Sequence, residues 1–480
     1  MGEKDEHWEY VFSPRSIAIV GVSSRPDSIV NEFVLYPLIQ FGYRGKIYPI
    51  NPNSPEIQGI KAYPSISDVP AKIDYVICAI SCTATPQLMR ECVAKGVKVV
   101  HLFTAGFADY STEGRALEKE LVRIAEEGGI RMLGPNCMGV YHPRMGISYC
   151  DKFPKDSGPV ALICQSGGES REITTMAALR GVRFSKVVSY GNAADLNECD
   201  FLDYFAGDNH TKIVLILIEA TREGHRFHRL LAKATKLKPV VILKTGRGEA
   251  GKRAALSHTG KIGGTEAAWD AVCKQTGAIK VVDEEELIDL ALTLRYMSAP
   301  AGRRVCVFGI GGGANVLAAD ECERAGLDVQ PLPSELAEQL KKVTPGVWSS
   351  LRNPVEPPSF YLTSDPNNLC NIIECLTNSR LFDSFIFQFP AYLGQAKAAA
   401  EDERIWGILS ALIKGKQATD IPMAMVWHRR GCPESMILEL QNKCLSAGIP
   451  CYGSVFHAAN SINKFAEWRS RLAQNSDRIR

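Results

Sequence analysis

Residues 239–244 read Pro-Val-Val-Ile-Leu-Lys, an apolar run of strand length that ends at a lysine. The segment that follows, residues 245–264, is rich in glycine and basic side chains and contains His258. Residues 265–275 then have the apolar spacing of a helix. A strand, a glycine-rich connection and a helix form the repeating unit of parallel α/β sheets, so this stretch predicts an α/β fold with a mobile loop around His258.

Apolar runs and amphipathic stretches alternate in the same way over the rest of the chain. A polar, proline-containing linker at 151–158 and a second linker, Ala-Pro-Ala-Gly at 299–302, separate three blocks. We expect three parallel-sheet domains over residues 1–150, 158–298 and 302–480. The predicted strands are 16–22, 46–50, 75–80, 98–103, 131–133, 160–164, 186–190, 213–218, 240–243, 279–282, 304–308, 384–389, 422–427 and 450–452.

Composition excludes several classes of protein. The 480 residues are 45% hydrophobic and 22% charged with a net charge of +2, which argues against a nucleic-acid or membrane-surface partner. The charged N-terminus does not resemble a secretory signal, and no apolar run is long enough to span a bilayer. The 15 cysteines include no C-x-x-C pair. We therefore expect a cytoplasmic protein with reduced thiols.

His258 is the candidate nucleophile, because imidazole attacks phosphorus at neutral pH and the helix that follows offers backbone N–H groups to a phosphoryl group. Glu219 ends the apolar run 213–218, and open α/β sheets bind ligands at the carboxyl ends of their strands. We predict that Glu219 accepts a hydrogen bond from one ring nitrogen of His258 and leaves the other free to react. A single histidine is more often an ordinary surface or core residue, and this alternative stays open here.

A second turn has the features of an anion site. Gln165, Ser166, Gly167 and Gly168 follow the apolar run 160–164 and open a helix, whose first N–H groups have no partner within the helix. We predict that these four residues bind phosphate. The next residue, Glu169, interacts favourably with the dipole of the helix, but its negative charge repels an anion.

The turn after the first strand and the loops near it predict a nucleotide site. The turn is not G-x-G-x-x-G, and the second strand is followed by asparagine where NAD-binding folds place an acidic residue. These features argue against NAD and favour a nucleotide bound in another way, such as coenzyme A, although a plain structural turn is the alternative. The histidines show no metal-ligand spacing, so we expect no metal site. The predicted cofactor-binding residues are Gly21, Ser23, Ser24, Arg25, Asn51, Pro52, Ala105, Gly106 and Asn136.

Five motifs together resemble one family. They lie at residues 134–137, 165–167, 189–192 with Asp195, 244–247 and 257–260. They are similar to those of the α subunits of ADP-forming acetate–CoA ligases, in the succinyl-CoA synthetase-like superfamily of acyl-CoA synthetases. The resemblance covers nearly the whole chain and implies a Rossmann-like CoA-binding domain followed by two flavodoxin-like domains.

The resemblance also implies an activity, that of an acid–thiol ligase of class EC 6.2.1. Acyl-CoA, phosphate and ADP would give a carboxylic acid, CoA and ATP, reversibly, with His258 as the phosphorylated histidine and Glu219 as its orienting residue. The expected partners are a small carboxylic acid, its CoA thioester and an ATP-grasp β subunit in an α2β2 assembly. That subunit would hold ADP or ATP with Mg²⁺. Glu169 departs from the family's small residue and is expected to narrow acyl choice or weaken phosphate binding.

Two other functions stay open from the sequence. One is a non-catalytic, CoA-binding regulatory protein, which would have no need for Glu219, the turn at 165–168 and the segment at 257–260 together. The other is an NAD enzyme, which Asn51 disfavours. Acyl-CoA-dependent phosphorylation of His258 would distinguish the ligase from both.

Overall fold

The computed structural model describes the backbone of residues 3–25, 27–259, 263–344, 350–357, 366–390, 403–428 and 432–477. It describes the side chains of residues 7–25, 27–254, 263–344, 351–357, 367–390, 405–428 and 432–473. The chain divides into two compact units, Met1–Ala178 with Val182–Glu284 and Leu179–Gly181 with Glu285–Arg480. Within the described residues, no helix has the length and apolar character needed to span a membrane.

The first unit contains two main sheets. The first sheet has the strand order β2-β1-β5-β6-β7 and is parallel throughout, with a small hairpin of β3 and β4 beside it. Its three central strands, β1, β5 and β6, are completely buried, which explains their continuous apolar runs. The strands of the sheet and the hairpin are β1 (Ser16–Val20), β2 (Lys46–Ile50), β3 (Glu56–Ile57), β4 (Ile60–Lys61), β5 (Tyr75–Cys78), β6 (Val99–Leu102) and β7 (Arg131–Leu133).

The second sheet has the order β13-β12-β11-β9-β10-β8. Its strands are parallel except for the edge strand β8, which is antiparallel to β10. The chain enters at β9 and crosses to β10 on one side and to β11 on the other, so a topological switch point lies between β9 and β11. The strands are β8 (Gly139–Tyr141), β9 (Val160–Cys164), β10 (Phe184–Ser189), β11 (Ile213–Ile218), β12 (Val240–Lys244) and β13 (Ile279–Val281).

The second unit contains one main sheet of order β15-β16-β14-β17-β18-β19. Here too the edge strand β15 is antiparallel and the others are parallel. Apart from the antiparallel edges, all three main sheets thus share the order 2-1-3-4-5 of their successive strands. The strands are β14 (Val305–Gly309), β15 (Ser350–Leu351), β16 (Val355–Glu356), β17 (Ser384–Pro390), β18 (Met423–His428) and β19 (Cys451–Tyr452).

Helices connect the strands, as the sequence pattern predicts. All fifteen cysteines are free thiols. The helices are α1 (Glu3–Phe12), α2 (Tyr36–Phe41), α3 (Thr85–Lys95), α4 (Thr112–Gly128), α5 (Gly167–Leu179), α6 (Glu198–Gly207), α7 (Gly224–Ala234), α8 (Glu249–Thr259), α9 (Glu266–Thr276), α10 (Glu284–Tyr296), α11 (Gly312–Arg324), α12 (Ser334–Val343), α13 (Pro366–Asn378), α14 (Glu403–Gln417), α15 (Glu434–Ser446) and α16 (Val455–Asp477).

The α/β class and the parallel sheets are confirmed, whereas the loop predicted around His258 is wrong in one respect. Residues 249–259 form helix α8. Alanine, leucine, arginine, lysine and glutamate, which are strong helix formers, make up most of that helix and outweigh Gly251. The domain limits 1–150, 158–298 and 302–480 stay predictions.

Candidate active site

The carboxyl ends of the first two sheets border a cavity of about 550 Å³ within the first compact unit. Ligand pockets commonly measure about 300–1,000 Å³, so a sizeable organic group fits this space. Its lining combines apolar side chains with amides, hydroxyls and glycine backbone. The lining residues are Val30, Ala79, Ile80, Phe103, Thr104, Ala105, Asn136, Cys137, Met138, Gln165, Ser166, Gly167, Gly168, Gly191 and Asn192.

Gln165 lies at the switch point of the second sheet, directly after β9, and is 3% exposed. Its Oε1 accepts hydrogen bonds from the backbone N–H groups of Glu219, at 2.8 Å, and Ala220, at 3.2 Å. Those two donors define which end of the amide is oxygen. The other end, Nε2, is buried with no hydrogen-bond partner among the described residues. An unmade bond of this kind costs about 1–3 kcal/mol, so the geometry suits a ligand that brings an acceptor oxygen.

The turn after Gln165 lines the cavity with Ser166, Gly167 and Gly168, at the helix end where the first N–H groups have no partner within the helix. Helix α5 begins at Gly167, and the Ser166 Oγ accepts a hydrogen bond from the Glu169 N–H at 3.3 Å. A Cβ atom placed on Gly168 would meet no atom within 4 Å. Packing therefore does not require glycine at 168, whereas an anion approaching the first turn of α5 would benefit from the missing side chain.

Glu219 follows β11 and is 8% exposed. Its backbone carbonyl lies against Gly263, where a Cβ atom would stand 2.7 Å from the Glu219 oxygen and 2.9 Å from the Lys244 Nζ. Lys244 is 2% exposed, and burial lowers the pKa of its ammonium group, opposed by the charges of Glu266 and Glu219. The segment that follows His258 thus returns to the carboxyl ends of β11 and β12.

His258 belongs to the last turn of α8, and its side chain lies outside the described residues. Only five peptide units separate it from Gly263, and five extended residues span at most about 17 Å. Its backbone is therefore within that distance of Gly263, which lies against the Glu219 carbonyl. The pairing of His258 with Glu219 stays a prediction.

The turn after β1 is held by a residue that the sequence did not single out. Gly21 has φ +105°, and a Cβ atom there would be 2.5 Å from the Ala79 oxygen, so the position requires glycine. Asn31 is fully buried, and its Nδ2 donates to the Ser23 carbonyl at 2.6 Å while its Oδ1 accepts from the Ser23 N–H at 3.3 Å. An asparagine in the amphipathic stretch after the turn gave no signal that distinguished it from a surface residue.

Asn51 supports the same turn. Its Nδ2 donates to the Val22 carbonyl at 2.7 Å, and its Oδ1 accepts from the Asn53 N–H at 2.8 Å. A carboxylate has no N–H to give to Val22, which explains the absence of an acidic residue at 51. The remaining predicted residues of this region, Ser24, Arg25 and Pro52, are exposed and lie outside the cavity lining.

Two other predicted residues, Ala105 and Asn136, do line the cavity, and their loops are joined because the Asn136 N–H donates to the Thr104 carbonyl at 3.0 Å. Asn136 has φ +58°, a conformation that asparagine tolerates well. Gly106 follows with φ +98°. The structure thus brings Ala105, Asn136 and the turn at 165–168 together around one space.

Glu169, the departure from the family pattern, lies beside a second carboxyl group. A hydrogen bond to Glu169, burial and the Glu169 charge raise the pKa of Glu284 to about 7, with further contributions from Glu172 and Asp283. Below about pH 7 the Glu284 carboxyl is therefore mostly protonated and can donate a hydrogen bond to Glu169. That proton reduces the negative charge that Glu169 brings to the phosphate turn.

In the part of the chain with described side chains, no group of three or more histidine, cysteine or acidic residues could hold a metal ion. The glycine-rich stretch at the start of α11 belongs to the second unit. Its Gly311 N–H donates to the Glu356 Oε1 at 3.1 Å, and the Asn315 Nδ2 donates to the Gly309 carbonyl at 3.2 Å. These internal bonds favour a packing role over a phosphate site there.

Comparisons with known proteins give matches to two domains, which lie almost entirely in the first compact unit. Residues 15–143 match the family model of a CoA binding domain, and residues 157–294 match that of a succinyl-CoA ligase like flavodoxin domain. The α subunit of ADP-forming acetate–CoA ligase II from Pyrococcus furiosus is 36% identical over 348 residues, which are 72% of this chain and 75% of that protein. The chain belongs to the family of ADP-forming acetate–CoA ligases. It is therefore an acid–thiol ligase chain, as the sequence motifs indicate.

Two further members place the chain within this ligase family. An ADP-forming acetate–CoA ligase from Methanocaldococcus jannaschii is 36% identical over 358 residues, and the match covers 74% of this chain but 50% of that protein. Among solved structures, the dinucleotide forming acetyl-coenzyme A synthetase 1 of Ca. Korarchaeum cryptofilum, in complex with phosphate and ADP, has a TM-score of 0.82 and 29% identity. The matched region covers 97% of this chain and 98% of the chain in that structure.

Proposed function

We propose that this ligase chain handles the acyl group, CoA and phosphate in the reversible conversion of acyl-CoA, phosphate and ADP to a carboxylic acid, CoA and ATP. One observation carries the proposal. The Gln165 amide is bonded to the backbone of Glu219 through Oε1, while its Nε2, buried at the edge of the cavity, has no hydrogen-bond partner among the described residues. The same side chain thus connects the phosphate turn with the residue expected to orient His258.

The reaction divides into three displacements. An oxygen of inorganic phosphate attacks the thioester carbonyl carbon, the C–S bond breaks, and CoA leaves as a thiolate while acyl phosphate remains. A ring nitrogen of His258 then attacks phosphorus, the P–O bond to the acyl group breaks, and the carboxylate leaves. Finally, a terminal phosphate oxygen of ADP attacks the phosphohistidine, which forms ATP and restores the neutral imidazole.

The chain's own groups stabilise the first two displacements. The Gln165 Nε2 and the backbone N–H groups of Gly167 and Gly168 donate hydrogen bonds to phosphoryl oxygens, together with the Ser166 hydroxyl. Fixed donors of this kind cost no reorganisation during reaction, and removing one typically slows catalysis by about 10²–10³-fold. Glu219 accepts the N–H of the other His258 ring nitrogen, which fixes the reactive tautomer.

CoA is proposed to bind along the first sheet. The turn at Gly21, Ser23, Ser24 and Arg25 and the Asn51–Pro52 loop would hold the nucleotide part, and the loop at Ala105 and Gly106 with Asn136 would border the thioester. The match of residues 15–143 to a CoA binding domain supports this assignment. The position of Ala105 and Asn136 on the same cavity as Gln165 supports it independently.

The nucleotide site is proposed to lie on a separate ATP-grasp polypeptide, which holds ADP or ATP with Mg²⁺ and forms an α2β2 assembly with this chain. The relative from Pyrococcus furiosus is named a subunit alpha, whereas the relative from Methanocaldococcus jannaschii carries no subunit name and is matched over only 50% of its length. If the nucleotide site is on a separate polypeptide, the purified chain with acyl-CoA, phosphate, ADP and Mg²⁺ makes no ATP until the partner is added. ATP formation by the chain alone would contradict the separate arrangement.

Release of CoA tests the chemistry of this chain directly. A panel of acyl-CoA thioesters is incubated with the chain, with and without phosphate, and free thiol is measured. We expect release from at least one thioester only when phosphate is present. Binding of CoA without phosphate-dependent release from any thioester would instead favour the non-catalytic regulatory function.

A further inference from the structure

Two acidic residues hold the loop that borders the cavity on the first sheet. Asp109 accepts hydrogen bonds from the Gly106 N–H, at 3.3 Å to Oδ2, and from the Phe107 N–H, at 3.1 Å to Oδ1. Glu118 of α4 is 5% exposed, and its Oε2 accepts from the Ala108 N–H at 3.4 Å. Three successive N–H groups after Ala105 are therefore bound to carboxylates.

Asn192, in the loop after β10, contacts both carboxylates. It is 7% exposed and lines the cavity, and its Nδ2 donates to the Asp109 Oδ1 at 2.7 Å and to the Glu118 Oε2 at 3.2 Å. Hydrogen bonds to ionised acceptors are about twice as strong as neutral ones. The amide thus ties the loop of the first sheet to the second sheet.

The loop that carries Asn192 is itself fixed to the phosphate turn. The Gly191 N–H donates to the Gln165 carbonyl at 3.1 Å, and the Asn192 N–H donates to the Pro135 carbonyl at 2.9 Å. A Cβ atom on Gly191 would stand 2.2 Å from the Pro135 oxygen, so the two loops are in close contact. A continuous set of hydrogen bonds therefore runs from Gly106 through Asn192 to Gln165.

The two carboxylates restrict which side chains can occupy position 192. A neutral side chain with two N–H groups satisfies two carboxylates at once, whereas aspartate there would add a third negative charge. The Arg222 Nη2 lies 3.7 Å from the Glu118 Oε1 and offsets part of the existing charge. Alanine at 192 has no side-chain N–H group and would leave both carboxylates without these hydrogen bonds.

We propose that Asn192 is a positioning residue that sets the distance between the thioester and the phosphate. The inference rests on the proposed function, in which the Ala105–Gly106 loop borders the thioester and Gln165 holds the phosphate. If the tether is lost, each substrate still binds its own loop, but the attacking oxygen and the carbonyl carbon no longer meet at reaction distance. Displacements of about 1 Å are known to cost about 10²-fold in rate.

The test compares Asn192→Ala and Asn192→Asp with the same changes at Asn209, an exposed asparagine that does not line the cavity. Phosphate-dependent CoA release is measured per folded chain. We expect kcat to fall about 10–100-fold in both Asn192 variants, while KM for phosphate changes less than about twofold. A purely structural role would lower the folded fraction without this split. A kcat equal to that of the Asn209 controls would overturn the proposal.

Glu118→Gln is the second variant, in case the Asn192 variants do not fold. The amide oxygen can still accept a hydrogen bond, but it is a weaker acceptor for Asn192 and no longer pairs with Arg222. We expect a several-fold fall in kcat with the same unchanged KM for phosphate. The control is the same change at Glu120, a partly exposed residue of the same helix that pairs with Arg90 and does not line the cavity. Unchanged kcat in Glu118→Gln would contradict the positioning role, whereas an inactive wild-type chain would contradict the proposed function itself.

Discussion

At the scale of single residues, Gln165 offers the sharpest substitution. Gln165→Glu keeps the volume and the oxygen that accepts from the Glu219 and Ala220 N–H groups, but it replaces the Nε2 donor with a charged oxygen. We expect kcat/KM for phosphate in CoA release to fall about 100-fold or more, because a donor becomes a repulsive group. The affinity of the Gln165→Glu variant for CoA, measured by calorimetry, should be unchanged. The exposed Gln87→Glu is the charge-matched control, and normal phosphate kinetics in Gln165→Glu would exclude a phosphate-binding role.

The close approach of Gly21 to Ala79 in the turn after β1 can be tested by measuring stability alone. Gly21→Ala places a methyl group 2.5 Å from the Ala79 oxygen, whereas Gly42 has a similar left-handed backbone with nothing within 4 Å of a Cβ atom. Alanine at 42 should cost about 1 kcal/mol of unfolding free energy through backbone strain alone. Alanine at 21 should lower the free energy of unfolding by at least twice as much, because a backbone carbonyl cannot move aside as a flexible side chain can. Urea unfolding measures both, and equal losses would contradict the close approach.

At the scale of elements, the first turn of α5 and the start of α10 are linked by a shared proton. The pKa of Glu284 is raised to about 7 from an ordinary value near 4.5, mainly by its hydrogen bond to Glu169. Between those pH values the folded chain binds more protons than the unfolded chain, so the free energy of unfolding falls as pH rises. Glu284→Gln should flatten this dependence in urea unfolding at several pH values.

The same pair affects phosphate. Above about pH 7 the pair loses its proton, and a second negative charge then lies near the turn at Gly167 and Gly168. We expect the ratio of wild-type to Glu284→Gln KM for phosphate to rise above one in this range, and using the ratio cancels the titration of phosphate itself. Glu127→Gln, at an exposed position of α4, is the control. A ratio that stays at one from pH 6 to pH 8.5 would show that the carboxyl pair does not influence phosphate binding.

The strands and helices also show how much of the fold can be predicted from the sequence. All predicted strands are present, with ends within about two residues, because buried parallel strands are continuous apolar runs with polar boundaries. The short strands β3, β4, β8, β15 and β16 were not predicted, since strands of two or three residues have no periodicity to detect. Helix α8 was missed because Gly251 and the flanking glycines suggested a loop. Helix α1 was missed because its first half is charged, while Trp8 and Phe12 pack on α6.

At the scale of the whole chain, the candidate site could be predicted in part. Gln165 to Gly168 and Glu219 follow buried strands on either side of a switch point, so spacing alone placed them at one sheet edge. The role of Asn192 depends on Asp109 and Glu118, which are distant in sequence but adjacent in the fold, and no periodic pattern reports such contacts. Asn31 bonds the turn at Ser23, eight residues before it, but its spacing in the sequence does not distinguish it from a surface asparagine. The apolar lining from Ile80, Phe103 and Met138 was not predicted for the same reason.

The central claim is that His258 carries the phosphoryl group, and labelled phosphate tests it most directly. The chain is incubated with labelled phosphate and an acyl-CoA, without nucleotide, and the protein-bound label is measured after acid and after base. The account predicts an acid-labile, base-stable label on the wild-type chain and on His225→Ala, an exposed-histidine control, and none on His258→Ala. Label that persists in His258→Ala would contradict the account.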